Sequence, residues 1–82
     1  MELKEAISIV IKQERKKNGM SQEELAHLCN IDRTYISLLE RKKRNPTLDV
    51  IFRISYSFHI KPSTFVKMLE DTMHLLLHEE IE

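Results

Sequence analysis

The stretch Ser21-Gln22-Glu23-Glu24-Leu25-Ala26-His27-Leu28-Cys29, then Asn30-Ile31-Asp32, then Arg33-Thr34-Tyr35-Ile36-Ser37-Leu38-Leu39-Glu40-Arg41 decides the fold. Ser21 and Glu24 are three apart. The serine hydroxyl can therefore cap the Glu24 amide while the Glu24 carboxylate reaches back to the Ser21 amide, which opens a helix with a capping box. In that helix Leu25 and Cys29 face inward, and Ala26 is small enough for a close helix crossing. Asn30 stands where a positive φ is needed and tolerates it. Ile31 plugs the turn. Asp32 caps a second helix over about residues 33–41, whose inner face is Ile36, Leu39 and Glu40. Two short helices joined by a three- or four-residue turn have the spacing of a helix-turn-helix motif, here about residues 21–41.

Working outward, the same 3.6-residue period continues on both sides, and strict alternation is absent. Upstream, Leu3, Ile7, Val10 and Ile11 form one stripe of a helix over about residues 3–17, closed by Asn18-Gly19. Downstream, Asn45-Pro46 ends the loop after the motif, because a residue before proline avoids the helical region. Thr47 caps a fourth helix with Leu48, Ile51, Ile54 and Phe58 inward. His59 takes another positive-φ turn position, and Pro62 suits the first position of a fifth helix over about residues 62–79. Five helices without a strand make the expected fold all-α, one domain over residues 1–82. On the fifth helix Phe65, Met68, Leu69, Met73 and Leu76 form one stripe, widened by Val66, Leu75 and Leu77. A small domain cannot bury all of these against itself. The stripe is therefore read as a dimer interface in preference to extra packing on helices 1 and 4.

The 82 residues contain 13 Lys+Arg and 13 Asp+Glu, for zero net charge. The distribution is uneven. Residues 1–14 carry −1, residues 15–53 carry +4 and residues 54–82 carry −3. The basic excess is sharpest from Arg33 to Arg44, where Arg33, Arg41, Lys42, Lys43 and Arg44 oppose Glu40 alone. At 41% apolar and 32% charged the chain reads as globular rather than disordered. No apolar run approaches the ~20 residues of a membrane span, and the N-terminus lacks the basic start and apolar core of a signal peptide. A single cysteine excludes an internal disulfide and a multi-cysteine zinc site, so a reducing, cytoplasmic setting is the default.

With these elements assembled, the sequence resembles the Cro and phage-repressor (Xre-type) helix-turn-helix family over about residues 7–66. The resemblance is carried by Ser21 to Ala26, Ile31 to Ser37, Leu39-Glu40-Arg41 and Arg44-Asn45-Pro46-Thr47-Leu48. It implies a five-helix, lambda-repressor-like DNA-binding domain that acts as a dimer, with the second helix of the motif in the major groove. It also implies roles for individual residues. Gln22 matches the family residue that approaches a phosphate or base. Arg33, Thr34, Tyr35 and Ser37 match the exposed residues of the recognition helix. Arg44 and Asn45 match the loop at the backbone or groove edge, and Arg15 with Glu40 matches a buried ion pair tying helix 1 to helix 3. Lys42 departs from a family glycine, as do Asn30 and His59 at turn positions. Leu28 and Leu38 replace polar residues, which leaves open whether either touches a partner.

Elementary chemistry agrees with these roles. The major groove admits one helix, and the N-terminal residues of that helix reach base edges. Arg33 presents a planar fork to guanine, Thr34 a hydroxyl and a methyl, and Ser37 a short side chain that permits close approach. These three and Gln22 are the expected base contacts. Tyr35, Lys43, Arg44, Asn45 and Ser21 are the expected phosphate or backbone contacts, the last with the amides of its helix N-terminus.

Other constellations carry less. His74 and His78 lie i, i+4 with Glu79 adjacent, but no third ligand has defined spacing, so no metal is expected. Cys29 reads as a core thiol rather than a redox switch. No nucleophile–base set supports an enzyme, and neither a cofactor nor a small-molecule ligand is expected. The expected function is a homodimeric transcriptional regulator on an inverted-repeat operator of double-stranded DNA, with recognition helices roughly 34 Å apart. No room remains for a ligand-binding domain, so control through concentration is expected. That economy resembles the controller proteins of restriction–modification systems, which regulate their own gene. A phage-type repressor, or an antitoxin whose C-terminal helix binds a partner protein, is the alternative. RNA polymerase is a further candidate partner. The acidic residues Glu79, Glu80 and Glu82 are expected to stay away from DNA and limit non-specific binding.

Overall fold

The computed structural model describes residues 3–81, with side chains through His78. The expectation about Glu79, Glu80 and Glu82 thus lies outside the described residues. Five helices follow one another: α1 (Leu3–Lys17), α2 (Gln22–Cys29), α3 (Arg33–Glu40), α4 (Leu48–Ser57) and α5 (Pro62–Ile81). Among the described residues there is no strand.

The boundaries have local causes. The Ser21 hydroxyl accepts from the Glu24 amide at 3.0 Å, and the Glu24 carboxylate accepts from the Ser21 amide at 2.8 Å, which completes the capping box of α2. Asn30 ends α2 at φ 56° and ψ 48°. Two residues later the Asp32 carboxylate accepts from the Thr34 amide at 2.9 Å and starts α3. The turn between the helices is therefore Asn30-Ile31-Asp32, three residues long. Lys42 leaves α3 at φ 62° and His59 leaves α4 at φ 59°. Each is a side chain held where glycine would be free, at a cost of about 1–2 kcal/mol. Thr47 caps α4 by accepting from the Val50 amide at 3.2 Å.

The core is one cluster. Ile7 and Ile11 of α1, Leu25 and Cys29 of α2, Ile36 and Leu39 of α3, Ile54 of α4 and Phe65 of α5 are all buried within it. Helix α1 packs on α3 and α5, α2 on α3 and α4, and α4 on α5. The buried hydroxyls are satisfied: Ser8 donates to the Glu40 carbonyl at 2.6 Å and Ser55 to the Ile51 carbonyl at 2.7 Å.

Three expectations about inward faces are corrected. Leu3 is exposed at the start of α1, where Ala6 and Ser8 join Ile7, Val10 and Ile11 inside. Leu48 is exposed, and Val50, two residues and 200° of helix away, takes the inner position with Ile51 and Ile54. On α5, Phe65 (0% exposed) and Leu69 (5%) lie inside the protomer core, and Met68, Met73 and Leu76 pack half-buried against it. Because α5 lies along α1 and α4, its inner side closes the protomer. Phe65 and Leu69 are therefore not available to a second copy.

Candidate nucleic-acid interface

Arg33 is the first residue of α3, and its side chain and that of Thr34 are exposed. Tyr35 and Ser37 are half-buried, while Ile36, Leu39 and Glu40 turn inward. The helix thus carries its core contacts on one side and its chemistry on the other. Its polar end is anchored from below. The Glu40 carboxylate (3% exposed) accepts from Arg15 Nε at 2.7 Å and Nη2 at 3.0 Å, a two-point pair. Arg15 also donates through Nη1 to the Met20 carbonyl at 2.8 Å. Gln22 Nε2 donates to Glu40 Oε1 at 3.0 Å. Gln22 Oε1 in turn lies 3.5 Å from Arg33 Nη1.

This chain of contacts orients Gln22. An ionised carboxylate only accepts, so the amide must place Nε2 on Glu40, which leaves Oε1 facing Arg33. The charge state of Glu40 is secured in the same way. Burial pushes its carboxyl up. The hydrogen bonds from Arg15 and Gln22, with the charges of Arg15 and Lys12, outweigh that effect and hold it below the ordinary carboxylate range. The Arg15 guanidinium is raised, chiefly by its hydrogen bond to Glu40. Arg15 and Glu40 therefore form the ion pair between helix 1 and helix 3, and it extends to Gln22 at the start of α2.

A second cluster lies at the other end of α3. The Arg44 guanidinium stands 5.2 Å from the centre of the Tyr35 ring, which draws the loop cation back onto the recognition helix. Arg41 Nε donates to the Ser37 hydroxyl at 3.2 Å. Lys42 instead turns toward α1, with Nζ 4.0 Å from Glu5. Lys43, Arg44 and Asn45 are exposed in the loop before α4. The structure therefore brings Gln22 to Arg33, Tyr35 to Arg44 and Ser37 to Arg41. Ser21 commits its acceptor lone pair to the cap, while Thr34, Lys43 and Asn45 face outward. The Glu40–Gln22 link was not legible in the sequence, because no spacing rule joins residues 18 apart on different helices. Arg41 as a partner of Ser37 follows an i, i+4 spacing that could have disclosed it.

Elsewhere, His74 and His78 meet through their Nε2 atoms at 2.9 Å. Among the described residues, no group of three or more His, Cys, Asp or Glu could hold a metal ion. The Cys29 thiol is buried 3.2 Å from the Ser57 hydroxyl. Desolvation raises its pKa, only partly offset by Ser57 and Arg53.

A helix-turn-helix family model matches residues 11–65, which is more than half of the chain and includes α2, α3 and α4 in full. The chain belongs to the Xre-type helix-turn-helix family. Within it, the chain is similar to control protein C.BamHI of Bacillus amyloliquefaciens, 50% identical over 46 residues that cover 56% of this chain and 57% of that protein. It is also similar to control protein C.SmaI of Serratia marcescens, 41% identical over 51 residues, or 62% and 61% of the two chains. The matched segments thus span less than two thirds of those relatives' length. The wild-type restriction–modification controller protein C.Esp1396I superposes with a TM-score of 0.77 at 39% identity, over 87% of this chain and 91% of that one. C.Esp1396I also forms a tetramer in complex with its natural 35 base-pair operator. All three of these relatives are control or controller proteins. Among the described residues no helix is long and apolar enough to cross a membrane.

Proposed function

We propose that this chain is a sequence-specific DNA-binding transcriptional regulator, a homodimer on an inverted-repeat operator that regulates its own gene as a restriction–modification controller protein. The observation that carries the reading is the line of contacts Arg15–Glu40–Gln22–Arg33, from the protein interior to the exposed start of the recognition helix. A side chain oriented before DNA arrives loses less freedom on binding, and this line sets a Gln22 oxygen beside Arg33 through an ion pair that is charged at neutral pH. Around it, Lys43 and Arg44 supply phosphate affinity that carries no sequence information. Thr34 and Ser37 meet base edges beside Arg33 and Gln22. Tyr35, Asn45 and Ser21 meet the backbone. The similarity to controller proteins supports the regulatory class, and the chain has no catalytic activity and works in the cytoplasm. RNA polymerase is the partner through which an operator-bound copy would act on transcription.

The test is Arg33→Ala measured on a selected operator and on random duplex at one stated salt concentration. Loss of about 1–3 kcal/mol on the operator, with relaxed preference at one base pair and little change on random DNA, is expected. Equal loss on both would make Arg33 a phosphate contact and remove the basis of the specificity claim.

A further inference from the structure

Two imidazoles near the end of α5 take no part in the DNA interface. His74 and His78 are both exposed, one helical turn apart, and their Nε2 atoms meet at 2.9 Å. The ring centres are 4.3 Å apart and the planes stand at 74°, so the rings do not stack flat. A neutral imidazole has one donor and one acceptor nitrogen. One ring of the pair therefore carries its hydrogen on Nε2, and the other offers a lone pair to it.

The same separation is what a metal ion sets between two nitrogens in adjacent positions. With metal–nitrogen bonds of about 2.0–2.1 Å, ligands at 90° stand about 2.9 Å apart and tetrahedral ligands about 3.3 Å apart. The pair thus fits adjacent corners of a square-planar or octahedral ion, as Cu(II) and Ni(II) form, better than tetrahedral Zn(II). We propose that His74 and His78 form a two-imidazole chelate for Ni(II) or Cu(II), with water in the remaining positions. For both Nε2 lone pairs to face the ion, the donor ring shifts its hydrogen from Nε2 to Nδ1 through solvent, with no net release of a proton.

Among the described residues no group of three or more His, Cys, Asp or Glu could hold a metal ion, which argues against a closed structural site. A chelate on an exposed helix has no such requirement, because solvent completes the shell. The i, i+4 spacing supplies the second ligand: once one ring has bound, the other is held beside the ion. The surroundings favour a cation. His78 lies in the last turn of α5, where carbonyls without helical partners make the helix end negative. Glu70, one turn before His74, lines the same groove, and residues 54–82 carry −3. His27 and His59 stand singly in the sequence and offer no second imidazole at helical spacing. Because the helix is what brings the two rings together, the ion binds the helical form of this segment. Loading it therefore clamps the end of α5 and stabilises the folded chain.

The test is isothermal titration of the full chain with Ni(II) in a buffer that does not bind metals. The wild type is expected to take one ion. His74→Ala and His78→Ala should each weaken binding by about ten-fold or more, since either leaves a single imidazole without the chelate. His27→Ala and His59→Asn should leave the affinity unchanged. All four variants alter exposed side chains, and circular dichroism should show the same helical signal in each. Ni(II) with water in its other positions is paramagnetic. In proton magnetic resonance it should broaden the His74 and His78 ring signals before those of His27 and His59. Full Ni(II) affinity in His74→Ala or His78→Ala, or first broadening at His27 or His59, overturns the site. Tighter binding of Zn(II) than of Ni(II) overturns the adjacent-corner geometry.

Discussion

Glu40→Ala is the perturbation that most directly tests how the recognition helix is held. The variant deletes a carboxylate that accepts three hydrogen bonds, two from Arg15 and one from Gln22, and leaves the largely buried Arg15 guanidinium with only the Met20 carbonyl. Breaking a buried pair by removing one partner costs about 3–5 kcal/mol, because the remaining charge is stranded in a poorly solvating site. A domain of this size has only about 5–15 kcal/mol in total. Urea unfolding followed by helical circular dichroism should therefore show the midpoint falling by about a fifth or more, with the slope against denaturant little changed.

The companion double variant Arg15→Met with Glu40→Leu separates two roles. It replaces both charges with apolar groups of similar size, so stability should return to within about 1–2 kcal/mol of the wild type. Operator affinity should not return with it, because the Gln22 amide has lost its anchor. The expected shortfall is about 1 kcal/mol, roughly five-fold in Kd. If Glu40→Ala costs under about 1 kcal/mol, the pair behaves like a solvated surface bridge and the anchoring account is refuted.

Further expectations concern charge, packing and pH. Arg44→Ala should weaken binding to operator and random DNA alike and reduce the slope of log affinity against log salt by about 1, read from titrations at several salt concentrations. Leu69→Glu should unfold the protomer, costing about 3 kcal/mol or more in a thermal or urea melt, because the charge enters the core. A folded monomer would restore Leu69 to an interface. Acid should destabilise the domain through Glu40, whose carboxyl is held below its ordinary value. Its contribution is complete above the ordinary glutamate pKa of about 4.3 and is lost as pH falls through the lower folded-state value. Urea midpoints measured from pH 7 down to pH 3 should fall at the acid end, and Glu40→Gln should flatten that fall.

Most of the fold was legible because its punctuation is local. The Ser21–Glu24 box, the Asp32 and Thr47 caps and the positive-φ residues Asn30 and His59 each sit within four residues of what they control. The Arg15–Glu40 pair could not come from spacing; the family resemblance supplied it. Two kinds of feature stayed hidden. The Gln22–Glu40 bond depends on how α2 and α3 cross, which no periodicity encodes. The apolar residues of α4 and α5 are spaced correctly on both sides of each helix, so pattern alone could not divide inner from outer. Leu48 went outward because Val50 fills the inner line, and Phe65 and Leu69 went inward because α5 closes the core over α1. An apolar stripe read from sequence therefore says that a helix has a partner. Whether that partner is its own chain is decided by the neighbouring helices.

The most direct test of sequence-specific binding is selection of bound fragments from random duplex and from genomic DNA at one stated salt concentration. Enrichment of an inverted repeat whose half-sites are about one helical turn, or a multiple of it, apart is expected. That repeat should be bound at least ~10³-fold more tightly than random duplex, with the margin reduced by Arg33→Ala. Recovery of no common sequence, with equal affinity for every duplex, would contradict it.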